Sequence, residues 1–221
     1  MEKALLTGRL LPPPRALKGF SRAVAGSEFC QNRLPEPGVL RGLREAGLGV
    51  TLATSILTDA GLSSAAALAA SAFRRGFIDE VIVNDWGLLE PLGCLRGLRL
   101  SAGRLLGVEL SATEPSWTKR FLAEHGVVFA ETDDLAMAAR MRALGLKVSW
   151  HGPHAFRAVT TFCPYERHFR SCCGFSCEGA SLTLKNHHLD APLLLDGKAY
   201  FTAAASTSAP RWAFRVVLRV P

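Results

Sequence analysis

Cysteine is the residue whose placement in this chain first indicates chemistry. One stretch of fifteen residues holds four of the six cysteines: Cys163, Cys172, Cys173 and Cys177. Cys30 lies far upstream after a short apolar run, and Cys94 stands by itself. Four thiolates taken from the late stretch and the early segment can bind a soft metal centre, either an iron-sulfur cluster or tetrahedral zinc. Adjacent side chains usually point apart, so only one of Cys172 and Cys173 is expected to face the metal.

Three other uses of the cysteines compete with an iron-sulfur cluster. Disulfide frameworks concentrate in small secreted domains, whereas this chain has 221 residues, 48% of them hydrophobic, and can build a core without cross-links. The N-terminus shows no export-signal pattern, so we expect a cytoplasmic protein. A role as a buried, unreactive thiol would explain Cys94 but not the adjacent cysteines Cys172 and Cys173. Structural zinc sites usually have two short cysteine pairs, whereas one ligand here would come from about 130 residues away, which makes zinc the less favoured metal.

A second group of polar residues follows the predicted strands. Asn84 and Asp85 end one strand, Arg104 comes just after the next, Glu131 ends a third and His151 a fourth. Functional residues of parallel α/β folds gather at the C-terminal ends of the strands, so we expect these five to converge and bind a substrate. Each also has a simpler explanation as a turn, a helix cap, a solvated charge or a satisfied polar residue. None of them identifies a catalytic group.

The elements that must position these residues alternate between short β-branched or aromatic runs and longer Ala-, Leu- and Arg-rich segments, a pattern typical of α/β folds. The predicted strands are 3–6, 27–30, 49–53, 80–84, 99–102, 127–130 and 147–150. The predicted helices are 14–24, 37–46, 63–75, 115–125 and 134–144. Strand spacings of this size suit right-handed βαβ crossovers and a parallel sheet.

The predicted fold class is α/β, a compact or incomplete TIM-barrel-like parallel barrel with a cysteine-rich C-terminal segment. A full eight-unit barrel usually needs about 250 residues, so this one must be compact, incomplete or completed by its tail. Residues 1–150 would form the βα barrel domain. Residues 151–221 would supply the metal-binding loop and closing strands of the same domain, with strands at 192–195 and 215–220.

Composition excludes several classes of protein. A hydrophobic fraction of 48% with 20% charged residues is ordinary for a globular domain and argues against disorder. The net charge of +7 is spread along the chain without a basic run interleaved with aromatics, so nucleic-acid binding stays an alternative that no recognisable module supports. The longest uncharged stretch near residues 60–73 is too short to cross a bilayer, and no membrane span is expected.

Four motifs resemble those of the collagenase-like U32 peptidase family. VIVNDWGLLEPL at 81–92 and AGRLLG at 102–107 look like the family's strand-end signatures. EFCQNR at 28–33 and WHG at 150–152 resemble its early Glu-x-Cys-x-x-Arg segment and its strand ending in His-Gly. The order holds from about residue 25 to 180. The similarity is greatest to the short iron-sulfur branch that contains the ubiquinone-hydroxylation protein UbiV and its partner UbiU.

This resemblance implies a 4Fe-4S cluster and a set of ligands for it. Carried over by position, the ligands are Cys30, Cys163, Cys173 and Cys177. It further implies oxygen-independent hydroxylation of a quinone precursor or an RNA base, prephenate as co-substrate, and a homologous subunit as partner. The chain departs from that branch in its shorter length, in the shorter spacing from Cys163 to Cys173 and in the rival ligand Cys172.

Three hypotheses follow. In the first, the cluster passes electrons during hydroxylation while Arg33, Arg167, His168 and Arg170 stabilise its negative charge. In the second, the chain is a non-catalytic partner of a longer homologue and the four-cysteine site is structural. The third is a peptidase, which is the least favoured because no nucleophile elbow, HExxH helix or separate Cys-His pair is present.

Overall fold

The computed structural model describes residues 1–169, 173–202 and 208–219. Its strands, in chain order, are β1 (Glu2–Gly8), β2 (Arg22–Gly26), β3 (Gly49–Ala53), β4 (Glu80–Val83), β5 (Arg99–Ala102), β6 (Val127–Thr132), β7 (Lys147–Gly152), β8 (Phe156–Val159), β9 (Leu182–Leu184), β10 (Leu193–Asp196), β11 (Ala199–Thr202) and β12 (Arg215–Arg219). Within the described ranges, eight parallel strands close into a barrel in the order β1-β12-β7-β6-β5-β4-β3-β2. The predicted α/β barrel is confirmed, and the tail completes it, because β12 pairs with both β7 and β1.

Helices cover the outside of the barrel between most of these strands. They are α1 (Pro37–Glu45), α2 (Asp59–Arg74), α3 (Leu89–Gly93), α4 (Arg104–Ser111), α5 (Pro115–Glu124) and α6 (Leu135–Ala143). The main apolar core lies between these helices and the outer faces of the strands, with Leu40, Leu43, Leu106 and Met141 fully or almost fully buried. None of the helices in the described ranges is long and apolar enough to cross a membrane.

The connection from β7 to β12 contains a second, smaller sheet in place of a helix. Its strands β8, β9, β10 and β11 pair antiparallel in the order β8-β11-β10-β9. The segment between β8 and β9 carries the late cysteines. The small sheet and the cysteine segment therefore belong to one insertion, which follows directly after β7 with its residues His151 and Gly152.

Predicted and observed boundaries agree within one or two residues for most strands, and β3 and β5 match in full. Residue 220 of the last predicted strand lies outside the described residues. The segment before Cys30 was predicted wrongly. Residues 14–24 are not a helix and 27–30 are not a strand; Pro14–Leu17 is a short 3-10 turn, and β2 lies at Arg22–Gly26. All five residues of β2 are buried, so its sequence RAVAG shows no alternation, and the helix predicted over 14–24 covers its first three residues.

The barrel interior has an apolar part and a charged end. Five strands each contribute one inward-facing residue to a small apolar cluster: Ala4, Val24, Ala53, Ile82 and Val217. At the N-terminal end, the Arg215 guanidinium donates to both oxygens of Glu80, at 2.6 and 2.9 Å, and to Glu2 at 2.6 Å. Arg215 and Glu80 are both fully buried, so this end is closed by an ion-pair network and the opposite end is left for the site.

Candidate functional site

A cavity of about 490 Å³ opens at the C-terminal end of the barrel, where parallel α/β folds place their sites. Arg104 and His151 line it from the barrel. Arg33 and Cys177 line it from the loop after β2 and from the cysteine segment. The cavity therefore lies between the barrel mouth and the cysteine-bearing part of the chain.

Arg104 is held by two buried carboxylates on the cavity floor. Its Nε donates to Glu28 at 2.9 Å and its Nη1 to Asp133 at 2.9 Å. Its backbone N–H also donates to Glu28, at 2.8 Å. Burial disfavours the cation, but Glu28 and then Asp133 hold the pKa of Arg104 above its ordinary value. The guanidinium thus stays charged while its charge is balanced within the protein.

Aromatic rings form the wall next to Arg104. Phe29 stacks on Phe156 with ring centroids 4.8 Å apart, and Phe201 meets Phe29 edge-on at 5.6 Å. The Arg104 guanidinium lies 4.7 Å from the centre of the Phe29 ring. A flat or partly apolar ligand would find both a cation and aromatic surface at this wall.

His151 and Glu131 form a hydrogen-bonded pair inside the barrel. The Nε2 atom of His151 lies 2.7 Å from Glu131 Oε2, and Ser101 donates to Glu131 Oε1 at 2.6 Å. Burial, followed by the positive charge of Arg104, lowers the pKa of His151 to about 3. Burial raises the pKa of Glu131, although Arg215 and Ser101 act in the opposite direction. The imidazole is therefore uncharged near neutral pH.

Asn84 and Asp85 are close to the mouth but their polar atoms are engaged by the backbone. Asn84 donates to the Thr54 carbonyl at 2.8 Å and accepts the Leu105 N–H at 2.8 Å. Asp85 accepts the N–H groups of Leu57 and Gly87, each at 2.9 Å. Neither residue lines the cavity, in contrast to Arg104 and His151. Of the five residues expected at one rim, Arg104 and His151 line the cavity, and Glu131 is hydrogen-bonded to His151.

The four cysteines proposed as ligands lie near one another. Cys30, Cys163 and Cys177 are buried and Cys173 is partly buried, whereas Cys94 is exposed. The Cys177 thiol is within electrostatic range of the other three, and Cys30 is within range of Cys173. Burial raises the pKa of both Cys30 and Cys177, so a metal that binds there must displace protons. Cys172 lies outside the described residues.

Arg33 is a cation that acts on two of these thiols, those of Cys30 and Cys177. Burial disfavours its charge, but Asp196 and then the Cys177 and Cys30 thiolates raise the pKa of Arg33. It donates to Asp196 at 3.1 Å, while its buried Nε has no hydrogen-bond partner among the described residues. A donor left over beside several thiols suits a sulfur-rich, negatively charged centre, since such centres accept hydrogen bonds at sulfur. Arg170, which was expected to have a similar role, lies outside the described residues.

A single carboxylate organises the loop that carries Cys173 and Cys177. Glu166 accepts the backbone N–H groups of Gly174 and Ser176, at 3.0 and 3.1 Å, and contacts His168 Nε2 at 2.9 Å. The Ser176 N–H, His168 and the Gly174 N–H together lower the pKa of Glu166 to about 2. Across the described ranges, no three His, Cys, Asp or Glu side chains are close enough to hold a single metal ion. The loop nevertheless has an internal scaffold, since Glu166 joins its early part to the backbone around Gly174 and Ser176.

Sequence reasoning missed the two carboxylates that hold Arg104, Glu28 and Asp133, of which Glu28 lines the cavity. Glu28 was visible in the EFCQNR segment, but the wrongly predicted strand placed it inside an element and not in the loop over the mouth. Asp133 directly precedes the helix predicted over 134–144. It does precede α6, whose cap is Asp134, while its own carboxylate is directed to Arg104. The aromatic wall gave no sequence signal because Phe29, Phe156 and Phe201 are far apart along the chain.

Comparison with known proteins supports the fold at low sequence similarity. No protein-family model matches the sequence, and no curated protein is significantly similar to it. The solved structure of the U32 peptidase Mk0906 superposes with a TM-score of 0.57 at 14% identity, over 100% of this chain and 92% of that one. The chain therefore has the barrel fold of a U32 peptidase.

Proposed function

We propose that this chain is an iron-sulfur protein whose 4Fe-4S cluster is bound by Cys30, Cys163, Cys173 and Cys177, and that it takes part in oxygen-independent hydroxylation. The observation that carries the proposal is that Cys177, in the cavity wall at the barrel mouth, lies within electrostatic range of Cys30, Cys163 and Cys173 from two distant segments. Cys177 belongs both to that group and to the cavity wall. A reducing cytoplasm would keep the thiols available as ligands.

The surroundings of the thiols suit such a centre. When bound, the cluster would supply electron transfer. Arg33 would offset its negative charge and donate from Nε, and Glu166 would hold the loop on which Cys173 and Cys177 lie. Burial of Cys30, Cys163 and Cys177 would limit access of solvent and oxidants.

The cavity suits a small ligand of mixed character. Its volume of about 490 Å³ falls in the range of small-molecule sites. Arg104 and His151 offer polar contacts on the floor, and Phe29 and Phe201 offer an aromatic wall. A ring that carries an acid group, such as prephenate or a quinone precursor, fits this description. An RNA base would have to enter unstacked from its neighbours.

The test is metal and sulfide analysis of protein purified without oxygen, with Cys163→Ala compared with Cys94→Ala. Cys163 is buried within the group and Cys94 is exposed outside it, so the pair separates site loss from general thiol loss. We expect about four irons and four sulfides per chain in the wild type and in Cys94→Ala, and a large loss in Cys163→Ala. Stoichiometric zinc without sulfide would replace the redox role with a structural one.

A second candidate is a partner subunit of a longer homologue. The edge strands of the small sheet favour it, since Leu182 and Leu184 of β9 are 49% and 41% exposed and Val159 of β8 is 38% exposed. Exposed apolar edge strands are usually covered in natural proteins. Native mass measurement after co-expression with a longer homologue would distinguish a heterodimer from a protein that acts alone.

The peptidase alternative has weaker support. Ser101 is fully buried and bonds to Glu131, which bonds in turn to His151. A hydrolase triad needs the imidazole between the serine and the acid and an accessible serine oxygen. The order of contacts here is different, so this serine is not arranged as a nucleophile.

A further inference from the structure

The inside of the barrel has an apolar region and a polar region, and the polar region is continuous with the cavity. One part is filled by Ala4, Val24, Ala53, Ile82 and Val217. Elsewhere inside, Ser101, Glu131 and His151 form a hydrogen-bonded chain, with 0%, 1% and 3% of each residue exposed. Apolar side chains would fill the barrel at lower desolvation cost, as they do in the first part. Packing therefore does not account for this chain of polar groups.

Only one ring nitrogen of His151 is available to the cavity. Nε2 is turned toward Glu131 at 2.7 Å and lies 3.9 Å from Glu28. Nδ1 has no hydrogen-bond partner in the part of the chain that the structure describes, and His151 lines the cavity. The geometry resembles general acid-base sites in which a carboxylate fixes an imidazole and leaves its other nitrogen to the substrate.

We propose that His151 is the proton-exchanging residue of the cavity, with Nδ1 as the exchanging atom and Glu131 as the residue that positions the ring. The proposal rests on the cavity being the reaction site of the proposed function. It adds a class of chemistry: the ligand would carry an ionisable O–H or N–H, or an acidic C–H, that reaches Nδ1.

The proton balance can be written without an isolated imidazolium. Before exchange, Glu131 is ionised, Nε2–H donates to it and Nδ1 carries a lone pair. When the ligand gives a proton to Nδ1, the Nε2 proton moves to Glu131, and the pair changes from one negative charge to none while the ligand becomes one unit more negative. The reverse steps return the proton to the product.

The charges around the pair suit both states. Arg104 and Arg215 favour the negative state, while Glu28, Asp133 and burial favour the neutral one. Burial also makes a free imidazolium costly, as the lowered pKa of His151 indicates. Ser101 donates to the carboxylate in the ionised state and fixes which oxygen faces His151.

The test is nuclear magnetic resonance of the purified wild-type protein labelled with 15N in histidine and 13C in the glutamate side chain, titrated from about pH 4 to about pH 9. We expect one shared step, in which the Nδ1 signal of His151 and the carboxyl signal of Glu131 change together and no imidazolium pattern appears. His151→Asn and His151→Gln would assign the ring signals, so that one of them can serve if the other fails to fold.

Glu131→Gln is the informative variant, since it keeps the size of the side chain and removes its ionisation. It should abolish the shared step, while His125, whose Nδ1 contacts the Phe121 carbonyl at 2.9 Å outside the cavity, keeps its signals. An imidazolium pattern for His151 with no change at Glu131 would overturn the proposal, and so would the absence of any change at both. Metal analysis decides the cluster separately, so failure of this inference is distinguishable from failure of the proposed function.

Discussion

Two glutamates of the site have opposite electrostatic surroundings. Glu131 lies inside the barrel, where burial raises its pKa, whereas Glu166 lies in the cysteine segment, where the Ser176 N–H, His168 and the Gly174 N–H lower its pKa to about 2. Desolvation penalises the charged form of a carboxyl group, and donated hydrogen bonds favour it. Glu131 is therefore suited to proton exchange, whereas Glu166 stays ionised.

The low pKa of Glu166 predicts how the cysteine loop responds to acid. The folded pKa of about 2 is below the ordinary value of 4.5, so the stabilisation is complete above about pH 4.5 and is lost as pH falls toward 2. We expect the amide proton shifts of Gly174 and Ser176 to titrate near pH 2 in the wild type and to show no such step in Glu166→Gln. A midpoint near 4.5 would mean that the carboxylate does not hold the loop.

Helix α4 is anchored to the barrel through its first turn. The Arg104 N–H donates to Glu28, and the Leu105 N–H donates to Asn84 at 2.8 Å. A Cβ added at Gly103 would lie only 2.2 Å from Asn84 Nδ2, so the helix can approach this closely because residue 103 is glycine. These contacts of Glu28 and Asn84 with the first turn of α4, here called the clamp, set the position of Arg104 at the cavity.

Removing the clamp should therefore cost stability. Asn84→Ala leaves the buried Leu105 N–H and Thr54 carbonyl without partners, so we expect the free energy of unfolding to fall by about 1–3 kcal/mol in a urea titration. Asn84→Asp keeps an acceptor for Leu105 but brings a carboxylate to the place where Nδ2 lies 3.4 Å from Glu28, so it should also destabilise the fold. A neutral effect of both substitutions would mean that Asn84 does not anchor helix α4.

The barrel is closed by a strand from the far end of the chain. β12 lies between β7 and β1, and Arg215 at its start pairs with Glu80 of β4 and Glu2 of β1 across the interior. β12 therefore joins the end of the barrel sheet to its first strand. Its Arg215 also balances the carboxylates of Glu2 and of the fully buried Glu80. The described residues between β7 and β12, including those of the cysteine segment, are thereby held between two neighbouring strands of the barrel.

Arg215→Met should test this closing network. Without Arg215, the buried Glu80 carboxylate keeps only the Thr51 hydroxyl at 2.9 Å and Arg99 at 3.9 Å, so we expect a loss of about 3–5 kcal/mol in the free energy of unfolding, measured in urea. Glu80→Leu in the same chain should restore much of that loss. Arg41→Met is the matched control, because Arg41 and Glu45 are 61% and 69% exposed, and it should change stability by less than about 1 kcal/mol. If Arg215→Met were equally mild, the network would not hold the barrel closed.

Local sequence patterns determined the repeating elements and the residues that follow them. Turn residues and apolar runs are short-range features, which is why β3 and β5 were predicted to the residue and why Arg104 and His151 were recognised at strand ends. The same local reasoning failed at β2, where burial on every side removes the alternation that marks a strand. The sequence also indicated which cysteines belong together, although their binding of a metal stays a prediction.

Tertiary structure alone decided the partners of those residues. Glu28 and Asp133 reach Arg104 across 76 and 29 residues of chain, and Glu131 meets His151 across 20. Such pairings depend on the register and closure of the barrel, which no window of neighbouring residues contains. The Asn84 amide bonds to the Leu105 N–H of α4 and to the Thr54 carbonyl, which are buried polar groups that meet only in the complete fold. In the same way, β12 closes the barrel because it pairs with strand edges that exist only once the other strands are in place.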